Sequence, residues 1–262
     1  MSAQSSYIAA VHPRFEEYKD SFPHAMLQRA DGILEVTLHT DGDSLQWTFE
    51  AHHELGYLWQ TIGADPETKV ILLTGAGEMF ITHSGPSYRA KRPDAREWLY
   101  SHTEAKRLVG ALLEIEQPIV TAINGPIFGH SELALLTDLI VASDDMWLAD
   151  PHVKNGLLPG DGVHVVLPLL LGLNRAKYYM LTGKRITAAE ALDLGLIGEV
   201  VPKGEVLGRA RELAAELMEA PAGVVRLFRP TIMQHVKRLM LDGLSHGLML
   251  EGMAVMDHWP SE

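Results

Sequence analysis

The sequence contains no cysteine, which excludes disulfides, a thiolate nucleophile and thiolate metal ligands together. Basic residues are also scarce. Twenty-two Lys and Arg face 34 Asp and Glu, giving a formal net charge of -12, and no Lys/Arg block occurs. A chain so charged lacks the footprint of a phosphate-backbone binder and is disfavoured at anionic membranes, so neither nucleic acid nor membrane is an expected partner. Long apolar runs are missing too. The densest, Val165 to Leu173, contains Pro168 and cannot span a bilayer. The opening Met1 to Ala10 has neither a basic leader nor an apolar stretch of signal-peptide length, so a cytoplasmic location is expected. Gly75-Ala-Gly77-Glu-Met-Phe80 lacks the third glycine of a dinucleotide fingerprint, which removes a nicotinamide site. There is no internal repeat.

What is present suits one sizeable core with a small helical appendage: 262 residues, 47% hydrophobic and 21% charged. Ile33 to His39 alternates apolar and polar residues and predicts a half-buried strand, whereas Val70 to Thr74 and Ile119 to Ile123 are continuous apolar runs typical of strands covered on both faces. Helical spacing runs over Glu50 to Ile62 and Ala95 to Ile115. Leu139 to Ala142 and Gly198 to Pro202 supply later strands, and a Thr-x-x-Glu capping box at Thr187 and Glu190 opens a helix reaching Leu194. Beyond residue 203 the pattern is helical throughout, over Glu205 to Met218, Ala222 to about His235, and Val236 to Met256. The class is α/β, divided into an N-terminal arm (1–25), a core (26–202) and a C-terminal helical region (203–262).

Pro151-His152, followed by Pro159-Gly160-Asp161-Gly162, puts an imidazole and a carboxylate on one Gly/Pro-rich loop. A histidine becomes an effective base near neutral pH when a carboxylate fixes its tautomer and stabilises its cation. His152 is therefore the candidate base towards water, with Asp161 accepting from its other ring nitrogen. The plain reading of the same residues is a solvated His and a turn-forming Asp. His130 follows Gly129 at a predicted helix start, where an imidazole N–H could hold a carbonyl oxygen; such a position also suits a merely exposed His. Trp47, near a strand end, is either core or a donor whose single N–H needs a partner. Gly243-Leu-Ser-His-Gly247 fits a nucleophile elbow but lies within a predicted helix, which argues against a serine triad. His52, His53 and His83 lack companions at metal-ligand spacing, so solvated or pocket-lining roles are expected and no metal is.

Asn124-Gly-Pro-Ile-Phe-Gly-His-Ser-Glu-Leu-Ala-Leu-Leu-Thr-Asp138, then Ala149-Asp-Pro-His152, then Leu158-Pro-Gly-Asp-Gly162 resembles the core of the crotonase (enoyl-CoA hydratase/isomerase) superfamily, and the similarity runs from about residue 30 to 258. The resemblance implies a spiral of ββα turns ending in a helical trimerisation region, and a homotrimer or dimer of trimers. One of the two acidic positions used in hydration is kept as Glu132; the other is His152. Together with Trp47, His130, Asp161 and Glu251, that replacement resembles the branch that hydrolyses β-diketones, typified by 6-oxocamphor hydrolase. It implies cofactor-independent retro-Claisen cleavage of a C–C bond to give a keto acid. His152, Asp161, Glu251 and His130 would be catalytic, with Glu251 orienting water or supporting the imidazolium, and Trp47, His83, Phe128 and Glu132 would bind substrate. The usual Ala-Gly-x-Asp-Leu-like segment is replaced by Phe80-Ile-Thr-His-Ser-Gly85, a departure from CoA-thioester chemistry. Two alternatives stay open: a hydratase or isomerase working through Glu132 on an acyl-CoA, and a crotonase-like scaffold without turnover.

Overall fold

The computed structural model describes residues 12–84 and 92–259; Gly85 and residues 1–11 of the expected arm lie outside them. β1 (Ala25–Ala30) and β2 (Ile33–Leu38) form an antiparallel hairpin. Its two-residue turn, Asp31-Gly32, has positive φ at both positions, as a primed hairpin turn demands. β4 (Val70–Gly75), β6 (Ile119–Ile123), β8 (Leu139–Ser143) and β11 (Glu199–Val201) extend this sheet in parallel, in the order β1-β2-β4-β6-β8-β11. The continuous apolar runs have their explanation here, because β6 is buried at every residue and β4 at all but Gly75. Val70, Leu72, Val120 and Ala122 face Val206, Ala210 and Ala214 of the Val206–Glu219 helix. Ile71, Leu73, Ile119 and Ile123 face the main core, shared with Leu55, Leu58 and Trp59 of the Phe49–Ala64 helix.

A second sheet lies at the other side of each chain turn. Its strands β3 (Leu45–Trp47), β5 (Ile81–Ser84), β7 (Ile127–Phe128), β9 (Trp147–Ala149) and β10 (Ile186–Thr187) run in the order β10-β9-β7-β5-β3, parallel except for the β9–β10 pair. β2, β4, β6 and β8 are each followed by a short strand and then a helix, which makes a repeating ββα spiral. The helices start where the sequence provides caps: Thr48 accepts the Ala51 N–H, and Asp94/Glu97 and Thr187/Glu190 form capping boxes.

The C-terminal helix corrects one expectation. Ala222–Asp257 is a single helix of 36 residues, with no break at His235–Val236. Nothing at that junction can stop a helix, and Pro230, which lies inside it, removes only one backbone donor. The helix is anchored by Arg229, fully buried, which donates to the carbonyls of Leu112, Ile115 and Leu136 and to Asp138 Oδ1 at 2.7 Å. Those carbonyls end the Ala95–Glu114 and Glu132–Leu135 helices, so one guanidinium caps two helices and docks a third. No helix among the described residues is long and apolar enough to cross a membrane.

Candidate active site

The short sheet positions the chemistry. Trp47, Ser84, Phe128 and Ala149 stand at the C-terminal ends of four adjacent parallel strands, and the register pairs Trp47 with Ser84 and Phe128 with Ala149. Side chains at these ends and on the loops leaving them converge, as they do in other parallel α/β architectures. Trp47 is 2% exposed, and its ring stacks on the His130 imidazole with centroids 3.6 Å apart. The Trp47 Nε1–H is buried and has no partner among the described residues. His130 adopts φ 50°, a left-handed conformation that costs a non-glycine residue about 1 kcal/mol, and it precedes a helix of only one turn. Strain is accepted there to turn the ring back over the indole.

His152 enters from the loop after β9. Its Nδ1 lies 3.0 Å from Asp150 Oδ1, and its Nε2 lies 3.5 Å from Asp161 Oδ2. This revises the expected pairing. The ring nitrogen with a hydrogen-bonding carboxylate is Nδ1, its partner is Asp150, and Asp161 faces the opposite nitrogen while also approaching His130 Nδ1 at 3.2 Å. The sequence reading missed Asp150 although it adjoins Pro151-His152; its carboxylate reaching forward by two residues was the available signal.

Glu132 is fully buried and hydrogen-bonds His130 Nδ1 at 3.0 Å. The ligand atoms of His130, Glu132 and Asp161 fall within 4.8 Å of one another, a spacing already used by the contacts His130 makes to the two carboxylates. Glu251 projects from the C-terminal helix and accepts the Gly160 N–H at 3.2 Å. Its approach depends on glycine twice, since a Cβ on Gly160 would overlap the Gly247 carbonyl oxygen and one on Gly247 would strike the His164 ring.

Burial and charge sort these groups into unlike protonation states. Burial, reinforced by the Asp161 charge, raises Glu132 above its ordinary value and pushes Glu251 up to about 8. Burial opposes ionisation of Asp161 too, yet His152, His130 and His164 hold its carboxyl below the usual range. Burial works to lower His152, but Asp150 and then Asp161 and Glu251 hold it well above an ordinary imidazole. The shifts therefore run in opposite senses: His152 is held towards its imidazolium and Asp161 towards its anion, while Glu132 and Glu251 are held towards their neutral acids.

Trp47, Ser84, Phe128, His130, His152 and Leu157 line one cleft. A second cavity behind it is lined by His52, Trp98, His130, Asp161 and Glu251, so His130 stands between the two. Two of the expected substrate-binding residues are set back. His83 is exposed and lies on the Phe128 ring, with centroids 4.4 Å apart, outside the lining of the cleft. Glu132 sits behind His130 and lines neither space. His52, read as solvated or pocket-lining, does line the inner cavity; it stands edge-on to Trp47, and burial beside His130 pushes its imidazole down to about 3.

Comparison with known proteins places this arrangement in a family. The model of the enoyl-CoA hydratase/isomerase family matches residues 28–251. A carnitinyl-CoA dehydratase of Escherichia coli O157:H7 is 30% identical over 241 residues, covering 90% of this chain and 88% of its own. That of Salmonella arizonae is 34% identical over 206 residues, 77% of each chain. Among solved structures, a beta-diketone hydrolase from the cyanobacterium Anabaena sp. PCC 7120, bound to (S)-3-oxocyclohexyl acetic acid, superposes with a TM-score of 0.89 at 37% identity, over 92% of this chain and 97% of that one. An enoyl-CoA hydratase/isomerase from Mycobacterium paratuberculosis follows at 0.84 and 28%, over 89% and 94%. With its ββα spiral and its C-terminal helix, the chain belongs to the enoyl-CoA hydratase/isomerase, or crotonase, superfamily.

Proposed function

We propose that the protein is a cofactor-independent hydrolase that cleaves a C–C bond of a cyclic β-diketone and releases a keto acid. The observation that carries this reading is the buried, unpartnered Trp47 Nε1–H, stacked on His130 in a cleft that His152 also lines. A buried donor without a partner costs about 1–3 kcal/mol, and a substrate carbonyl in the cleft would recover it. The 37% identity to a beta-diketone hydrolase supports the same reading.

The chemistry follows from the groups present. Neutral His152 takes a proton from water at Nε2 as the water oxygen bonds to one carbonyl carbon. The carbonyl oxygen becomes an oxyanion that accepts from Trp47 Nε1–H and from His130. Glu132 and Asp161 both face His130 Nδ1, at 3.0 and 3.2 Å, and fix the ring so that its Nε2 edge is left for that oxyanion. Donors of this kind are worth about 3 kcal/mol each to a developing oxyanion. Collapse of the tetrahedral intermediate breaks the C–C bond and leaves its electron pair as the enolate of the second carbonyl. The His152 imidazolium, flanked by Asp150 and Asp161, returns the proton to the enolate carbon. One water is consumed, and the products of ring opening are a carboxylate and a ketone in one molecule.

Glu132 would be the working acid/base of a CoA hydratase, but it stands behind His130 and lines neither space. The relatives named as carnitinyl-CoA dehydratases keep thioester chemistry as the competing reading. Mass spectrometry of the purified protein incubated with a panel of cyclic β-diketones, and separately with crotonyl-CoA and carnitinyl-CoA, decides between them. Gain of one water by a diketone with untouched thioesters is expected; turnover of thioesters alone would overturn the proposal. We further propose that the protein works in the cytoplasm as a trimer or dimer of trimers. Exposed apolar side chains at Leu169, Leu170 and Leu173 and along the C-terminal helix, Leu227, Phe228, Ile232 and Met253 among them, support the self-association.

A further inference from the structure

Asp150 is used by no step above as anything more than a neighbour, yet its geometry is specific. It follows β9 directly, and Pro151 after it favours an extended backbone at Asp150. From there Asp150 Oδ1 accepts the His152 backbone N–H at 2.9 Å and faces His152 Nδ1 at 3.0 Å. The His152 carbonyl is held in turn by the N–H groups of Asn155, at 3.0 Å, and Leu157, at 2.8 Å. One carboxylate oxygen therefore fixes both the backbone and the ring of His152. Both residues are buried, and Asp150 Oδ2 has no partner, so the carboxylate is not shared with another structural contact among the described residues.

We propose that Asp150 is the positioning residue of the site, holding His152 with its proton on Nδ1 so that Nε2 is the nitrogen that meets water and substrate. The inference rests on the β-diketone hydrolase reading for its consequence, but not for its geometry. A carboxylate accepts and cannot donate, so the 3.0 Å contact requires Nδ1–H. Asp161, at 3.5 Å from Nε2 and shared with His130, is then free to stabilise the imidazolium once it forms. The groups facing His152 are Asp150 on its own loop, Asp161 from the loop before the Val163–Leu171 helix, Glu251 from the C-terminal helix, and His130, whose ring centroid is 6.2 Å away. Asp150 is the one of these that also bonds the His152 backbone.

The test is Asp150→Ala, which removes both the charge and the one oxygen that the His152 ring and backbone N–H share; Asp150→Asn keeps that oxygen and should retain the Nδ1–H tautomer. On a hydrolysed diketone, kcat of Asp150→Ala should fall by roughly 100- to 10,000-fold with KM little changed, as befits a lost tautomer rather than lost binding. The pH–rate profile should move to lower pH, because the imidazolium has lost a neighbouring anion. Nitrogen-15 NMR of labelled histidine reads the tautomer without turnover. The wild-type protein, Asp161→Asn and Asp150→Asn should all show protonated Nδ1 on neutral His152, and Asp150→Ala should lose that preference. Wild-type spectra with neutral His152 protonated on Nε2, or Asp150→Ala with unchanged kcat and pH profile, would overturn the proposal. If the wild-type protein hydrolyses no diketone, the functional reading fails while the NMR result still decides the role of Asp150.

Discussion

Two buried charged clusters in this molecule are built on opposite terms. Around Arg229, the guanidinium bonds three helix-terminal carbonyls and Asp138, and Asp138 also accepts the Ile119 N–H at 2.7 Å. Around His130 and His152, by contrast, Trp47 Nε1, Glu132 Oε2, Asp150 Oδ2 and Asp161 Oδ1 are all buried without partners among the described residues. The first cluster spends its polar groups on joining helices. The second leaves four unsatisfied, of which Trp47 lines the outer cleft and Asp161 the inner cavity, and buried polar groups persist in that condition when something else is meant to meet them. Polar burial alone does not mark a working site; incomplete satisfaction beside open space does.

The contrast breaks most visibly under substitution. Removing the proposed base with His152→Ala should lower diketone turnover by roughly 100- to 10,000-fold while the melting temperature and oligomeric state stay near wild type. Arg229→Ala should do the reverse, costing about 3–5 kcal/mol in denaturant titrations by leaving Asp138 and the helix carbonyls unpaired, with kcat preserved in whatever remains folded. Trp47→Phe separates the two currencies within one residue. It should reduce kcat/KM by about 100-fold yet leave stability equal or higher, because a buried N–H without a partner is removed; unchanged kinetics would make the indole core filler. His130→Gly should relieve backbone strain worth about 1 kcal/mol and still abolish diketone hydrolysis. The smallest effect is on pH. Since Asp150 and Asp161 hold His152 above an ordinary imidazole against the pull of burial, its basic form is the minor species at neutral pH, and diketone turnover should rise as pH increases through that raised value. A profile flat from pH 6 to 9 would remove neutral His152 from the mechanism.

The long sheet and most helices were legible because their signals are local: buried runs at β4 and β6, and capping residues at Thr187 and Glu190. The short sheet was not. β7 has two residues and β3 three, too few for any periodicity, so although Trp47 and His152 were placed near strand ends, the sheet that brings those ends together was not readable from the pattern. The polar residues Trp47, His130, His152, Asp161 and Glu251 were all named from sequence, and the structure gathers them in one region; their partners were not all named correctly. Asp150, rather than Asp161, hydrogen-bonds His152, and Glu132 backs His130, because which carboxylate reaches which ring nitrogen depends on loop geometry that composition does not encode. His83, singled out for its place in an unusual segment, lies outside the cleft lining because it alternates along β5 with Ser84, which lines the cleft, and successive strand residues face opposite sides.

The central claim is that water attacks a carbonyl carbon and a C–C bond then breaks at this site. It is tested most directly by turning over a cyclic β-diketone in oxygen-18 water and following the product by tandem mass spectrometry. The account predicts a ring-opened keto acid with one oxygen-18 in its carboxylate, formed by the wild-type protein and lost in His152→Ala. A diketone left intact, or a labelled carboxylate formed equally well without His152, would contradict it.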